Sequence, residues 1–81
     1  LKALILSTGV LIKWKKEFAD ALRIFVDRGN GFILLADDTE PDYLDTVAFP
    51  VAPAVWKYKA VYMISDEQVG QWSDVVSITV G

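Results

Sequence analysis

The chain of 81 residues contains neither cysteine nor histidine. Without cysteine there is no disulfide, no thiol nucleophile and no thiolate metal site. Without histidine, the Ser-His-Asp triad and the usual zinc sites are also excluded. We therefore expect no catalytic residue, no cofactor and no enzymatic activity.

Basic residues are also few. Eight Lys and Arg against 11 Asp and Glu leave a net charge of −3, whereas a nucleic-acid-binding domain usually carries a basic face that neutralises phosphates. No apolar run reaches the roughly 20 residues of a membrane helix, since Lys2, Thr8 and Gly9 interrupt the longest candidate. No basic segment precedes a small-residue cleavage site, so no signal peptide is indicated. We expect neither nucleic-acid binding nor membrane insertion.

Apolar residues are plentiful. They make up 53% of the chain, and aromatic residues 12%, which is enough for a folded domain with one modest core. At this length we expect a single domain over residues 1–81. Because the first residue is Leu1, we expect that domain to be excised from a longer chain.

Residues 55–64, VWKYKAVYMI, place large apolar or aromatic residues at nearly every second position. Trp56, Tyr58 and Tyr62 fall at even positions, and Lys57 and Lys59 lie between them. A period of two is typical of a strand, because successive side chains point to opposite faces. The pattern predicts that the aromatic residues face the core and that the lysines face solvent.

The same alternation recurs along the chain in residues 10–16, 21–28 and 75–80, with a short edge strand at 3–6 and a β-rich segment at 31–38. It places Trp14 and Ile24 in the core. Turn-forming residues separate these segments, and RGNG at 28–31 predicts a hairpin, since Asn30 and Gly31 tolerate positive φ. Residues 15–25 also allow a short helix, although a loop followed by a strand is favoured. Six to seven short strands predict an all-β, antiparallel β-sandwich.

Several motifs occur in a familiar order: LIKWKK around Trp14, LRIFVDRG around Ile24, YLDT at 43–46, and the alternating segment that begins near Tyr58. Over residues 10–81 this order resembles a fibronectin type III domain of the bacterial kind, an immunoglobulin-like β-sandwich. The resemblance implies that Trp14 packs between the sheets. It also implies that Tyr58 forms a tyrosine corner, with its hydroxyl bonded to nearby backbone.

The acidic segment 37–45 supplies hard oxygen ligands that suit Ca²⁺. It lacks the Asp-x-Asp-x-Asp-Gly order of a calcium loop, and Asp and Thr also favour turns, so a solvated loop is favoured while calcium stays open. Neighbouring carboxylates serve glycoside hydrolysis only within a cleft, and we expect no cleft in so small a sandwich.

Candidate partner-binding residues are Trp72, Phe25 and Met63. Trp72 follows Gly70 in a predicted loop, which favours exposure, and Phe25 and Met63 lie on predicted outer faces. The structural core is predicted to contain Trp14, Ile24, Tyr58 and Tyr62.

The resemblance implies a non-catalytic spacer or protein-interaction module within a larger bacterial or phage protein, secreted or at the cell surface. Its expected partners are neighbouring domains of the parent chain or another protein, and a homodimer stays open. The alternative is a carbohydrate-binding accessory domain, which would need two or three coplanar exposed aromatic rings.

Overall fold

The alternating segments form strands in the computed structural model, which describes all 81 residues. The strands are β1 (Lys2–Leu6), β2 (Gly9–Lys13), β3 (Ala21–Asp27), β4 (Phe32–Asp38), β5 (Tyr43–Asp45), β6 (Ala54–Ile64), β7 (Glu67–Val69) and β8 (Val76–Val80). The all-β prediction is confirmed. The strand count of six to seven is wrong, because the three-residue β7 brings it to eight. The structure holds no helix with the length and hydropathy of a membrane span.

The helical alternative for residues 15–25 is wrong. Residues 15–20 form a turn, in which the Ala19 N–H donates to the Lys16 carbonyl at 3.0 Å, and residues 21–25 belong to β3. The apolar residues of β3 bury one face at a period of two, and this tertiary burial outweighs the local helix propensity of the segment.

The strands form two antiparallel sheets. The smaller sheet has the order β1-β2-β5, and the larger has β4-β3-β6 with both β7 and β8 on the far side of β6. The long strand β6 pairs with β8 over residues 54–58 and with β7 over residues 62–64. Between these pairings Ser73 occupies the strand edge: its N–H donates to the Ala60 carbonyl at 2.7 Å, and the Ala60 N–H donates to its Oγ at 2.9 Å. Residues 70–75 are thereby held against β6.

One hydrophobic core lies between the sheets. Val10 and Ile12 of β2 meet Ile24, Val26 and Tyr58 of the larger sheet, and all five are essentially inaccessible to solvent. The arrangement is consistent with a β-sandwich.

Three of the four predicted core residues, Trp14, Ile24 and Tyr58, are buried. Tyr62 is only half-buried: it packs against the edge of the core, and its hydroxyl donates to the Lys15 carbonyl at 2.6 Å. It therefore lies beside the core rather than within it, because its polar hydroxyl needs a partner near the surface.

The predicted hairpin joins β3 to β4. The Asp27 carboxylate accepts hydrogen bonds from the N–H groups of Gly29 at 2.8 Å and Gly31 at 3.1 Å. These two glycines have φ of +120° and +93°, so Gly29 and Gly31, and not Asn30, carry the positive φ of the turn. Glycine carries positive φ at lower cost because it lacks a Cβ.

Candidate functional site

Phe25 and Trp72 lie together on the outer face of the larger sheet. Their ring centroids are 5.2 Å apart, and their planes meet at 69°. The Nζ of Lys59 lies 4.5 Å from the centroid of the Phe32 ring and 4.6 Å from that of Trp72, within the range of cation–π attraction. We call these four residues, Phe25, Phe32, Lys59 and Trp72, the outer aromatic patch.

Strand alternation and one loop build this patch. Phe25 points outward because Ile24 and Val26 point into the core, and Lys59 lies directly opposite Phe25 in the β3–β6 register. The contacts of Ser73 with β6 bring Trp72 back over this face. Lys59 was expected to face solvent, but it is half-buried, because its aliphatic stem and ammonium group lie among the rings.

The patch remains accessible. Trp72 is 43% exposed, and Leu34, which lies opposite Phe25 on β4, is 53% exposed. Together they extend an apolar surface outside the hydrophobic core. A contiguous apolar surface is typical of interaction sites, whereas single exposed apolar residues are common on any protein surface.

Met63 is not part of this surface, and its assignment as a contact residue is corrected. It is only 3% exposed. Its strand is flanked at this position by Ala21 of β3 and Gln68 of β7, and its carbonyl accepts a hydrogen bond from the Asp20 N–H at 2.9 Å. Met63 and Tyr62 are successive residues of β6, so their side chains lie on opposite faces, as the alternation predicts. The outer face is nevertheless covered at Met63, so its side chain is not exposed.

A second cluster lies inside the molecule. Asp45 is 1% exposed, and its carboxylate accepts hydrogen bonds from the Tyr58 hydroxyl at 2.7 Å and from Arg28 Nη2 at 2.9 and 3.1 Å. The Arg28 guanidinium also lies 4.2 Å from the centroid of the Trp56 ring. Burial, followed by the bond to Asp45, raises the pKa of Tyr58.

This cluster corrects the expected tyrosine corner. The hydroxyl of Tyr58 binds a carboxylate instead of nearby backbone, because Asp45 is the buried charge that needs donors. The role of Arg28 was not anticipated from the sequence, since it lies 17 residues before Asp45 and nothing local connects them.

The carboxylates of the acidic segment bind separate donor groups, two of which belong to Trp14. The pairs are Asp37 with Arg23, Asp38 with Trp14 Nε1, Glu40 with Lys16, Asp42 with Lys13 and the Trp14 N–H, and Asp45 with Arg28 and Tyr58. The Arg23 guanidinium lowers the pKa of Asp37. No group of three or more His, Cys, Asp or Glu side chains is placed to hold a metal ion. The segment links strands and loops together instead of converging on one point.

A cleft of about 590 Å³ opens between the sheets, where none was expected. Its lining includes Trp14, Leu22 and Tyr62 together with Lys13 and Lys15. The prediction rested on the small size of the sandwich.

The outer aromatic patch is the surface that the geometry favours as the functional site, because it unites Phe25 and Trp72 in an accessible position. No protein-family model, curated protein or solved structure matches the chain. An assignment of function therefore rests on the strand order and the side chains described above.

Proposed function

We propose that the chain is an immunoglobulin-like domain of the fibronectin type III kind. Its first, second and fifth strands form one sheet, and its third, sixth and eighth lie in the other. This matches the A-B-E and C-F-G grouping of immunoglobulin-like sandwiches. The strand β4 lies beside β3, where variable-type domains carry an additional strand. The strand order thus supports the resemblance found in the sequence.

The proposed activity is that of a non-catalytic spacer or protein-interaction module within a larger secreted or surface protein of a bacterium or phage. The outer aromatic patch is the observation that carries this proposal. Interface cores are enriched in aromatic residues, and tryptophan is a frequent source of binding energy. Trp72 and Phe25 offer such an anchor, and the Nζ of Lys59 lies 4.6 Å from the centroid of the Trp72 ring.

The acidic segment supports a non-catalytic role. Its carboxylates are held by separate cations and N–H or O–H donors, as expected for groups that stabilise loops and strands. Asp45, the most strongly buried carboxylate, contacts Arg28 and Tyr58 within the protein. Such an arrangement suits a scaffold that positions surfaces for a partner.

The ring geometry favours a protein partner over a sugar. A sugar-binding platform would need coplanar exposed rings, whereas Phe25 and Trp72 meet edge to face at 69°. The ammonium group of Lys59 also occupies one face of Trp72. An edge-to-face aromatic pair with an adjacent apolar side chain suits the irregular surface of a protein better.

Photo-crosslinking in the full parent chain tests this proposal. The photoreactive residue p-benzoylphenylalanine replaces Leu34, which borders the patch and leaves its four members intact. The matched control places the same residue at Leu4, which is 45% exposed on β1 of the other sheet. We expect position 34 to crosslink to a neighbouring domain, another protein or a second copy, and Trp72→Ala to lower that yield severalfold. Absence of crosslinks at position 34, or the same products from both positions, would overturn the proposal.

A further inference from the structure

The cleft between the sheets has the dimensions and lining of a small-molecule site. Its volume of about 590 Å³ lies within the range of ligand pockets, roughly 300–1,000 Å³. The wall of the cleft includes four buried apolar residues, Trp14, Leu22, Ala60 and Val61. The half-buried ring of Tyr62 also belongs to it. An apolar wall of this kind favours a ligand that contains a ring or a compact hydrocarbon group.

The charge of the cleft is opposite in sign to that of the whole chain. Lys2, Lys13 and Lys15 line it, three of the chain's eight basic residues, against only Glu17 and Asp42 of its 11 acidic ones. Asp42 and Lys13 are already engaged with each other, since the carboxylate lies 3.5 Å from Lys13 Nζ, and it also accepts the Trp14 N–H. Lys2 and Lys15 have no ion-pair partner within the chain.

The positions of two of these lysines are electrostatically unfavourable. Lys2 and Lys13 lie directly opposite each other in the β1–β2 register, and like charges in this position destabilise an antiparallel pair. Burial, and then the charge of Glu17, the remaining acidic residue of the cleft, raise the pKa of Tyr62, which forms part of the cleft wall. An added anion would relieve the repulsion between the lysines, and Glu17 would oppose its binding.

We propose that this cleft binds a small organic anion, a carboxylate attached to an apolar ring. The ring packs against the wall formed around Trp14 and Tyr62, and the carboxylate lies near Lys2 and Lys15, the two lysines without an ion-pair partner. The site is separate from the outer aromatic patch and goes beyond the proposed interaction function. It requires no chemical step, only reversible binding.

Titration of the 81-residue protein with 2-naphthylacetate, followed by two-dimensional amide NMR, tests the proposal. The neutral 2-naphthylacetamide is the matched control ligand, because it retains the ring and removes the charge. We expect the acid to shift the amides of Trp14, Lys15 and Tyr62, while those of Phe25 and Lys59 stay unchanged. The neutral ligand 2-naphthylacetamide should bind more weakly than 2-naphthylacetate. Added salt should weaken the binding of 2-naphthylacetate.

Two variants that change the charge of the cleft in opposite directions extend the test. Lys15→Gln should weaken binding of the acid about threefold, and Glu17→Gln should tighten it by a similar factor, as expected for exposed charges. Both side chains are exposed, and the NMR spectrum itself reports whether the fold is retained. The proposal is overturned if 2-naphthylacetate and 2-naphthylacetamide bind with equal affinity, or if no amide signal shifts at millimolar ligand. It is also overturned if the shifts are confined to the outer aromatic patch, or if neither variant changes the affinity.

Discussion

At the scale of single residues, Asp45 is the most consequential side chain in the molecule. It places a charge inside the core, which is costly unless that charge is paired and hydrogen-bonded. Tyr58 of the larger sheet and Arg28 of the β3–β4 turn satisfy it. Because Asp45 belongs to the smaller sheet, these bonds also join the two sheets at one defined position.

Tyr58→Phe tests this bond directly. The substitution keeps the ring and removes the hydroxyl, so that the buried carboxylate loses one donor, and we expect the free energy of unfolding to fall by about 1–3 kcal/mol. Urea denaturation measures the loss. Tyr62→Phe is the matched control, and it should cost less because Tyr62 is only half-buried. Equal losses in the two variants would contradict the role given to Asp45.

The same tyrosine predicts a loss of stability in alkali. Burial and the bond to Asp45 raise the pKa of Tyr58 above its unfolded value of about 10. The folded state therefore holds the phenolic proton more tightly, and this contribution is complete below pH of about 10 and lost as the pH rises toward the folded pKa.

Urea midpoints measured at increasing pH from about 8 to about 11 should therefore fall for the wild type and fall less for Tyr58→Phe. Some slope should remain in the variant, because the pKa of Tyr62 is also raised. Parallel curves for the two proteins would show that Tyr58 is not the group responsible.

At the scale of strands, Gly9 at the start of β2 lies against the end of β5 with no room for a side chain. A Cβ added there would collide with the backbone carbonyl of Asp45, whereas a Cβ at Gly70 would meet open space. We expect Gly9→Ala to cost about 3 kcal/mol through overpacking. Gly70→Ala should cost only about 1–2 kcal/mol, because its φ of +74° strains an alanine without a clash. Chemical denaturation of both variants gives the comparison, and a smaller loss for Gly9→Ala would contradict this strand pairing.

The sequence predicted the strands well because their faces differ so clearly in polarity. Trp56 and Tyr58 on β6, and Ile24 on β3, each point inward as the period of two requires. Exposure of the outer face was less predictable. Met63 is covered and Lys59 is half-buried, and neither result follows from β6 itself, since segments distant in the sequence pack beside these residues.

The candidate sites show the same limit. Local composition identified Phe25 and Trp72 as apolar residues on outer surfaces, but only the pairing of Ser73 with β6 brings their rings together. The acidic segment likewise looked like a solvated loop, whereas Asp38 binds Trp14 across 24 residues of sequence. Contacts between distant residues depend on strand register, and a single sequence does not contain that information in a local pattern.

At the scale of the whole molecule, the three tryptophans divide between core and surface. Trp14 is 8% exposed and packs in the shared core, and its Nε1 donates to Asp38 at 2.8 Å. Trp72 is 43% exposed on the outer face. The aromatic residues thus fall into two sets, one packed in the core and one at the surface.

Trp14→Ala should therefore lower the free energy of unfolding by about 3–5 kcal/mol, a large share of the stability of so small a domain. Trp72→Ala should cost less than half as much, because much of its ring is already in water. Thermal and urea unfolding of the two variants provide the measurement. A larger loss for Trp72→Ala would mean that the patch is part of the core.

The most direct test of the central claim, that two sheets enclose one core and leave the outer aromatic patch free, is a methyl and aromatic NOE spectrum of the 81-residue protein. We expect contacts from the methyl groups of Val10 and Ile12 to the core around Tyr58, and contacts between Phe25 and Trp72 that are separate from them. NOEs from Val10 or Ile12 to Trp72, or a core lacking Tyr58, would contradict the account.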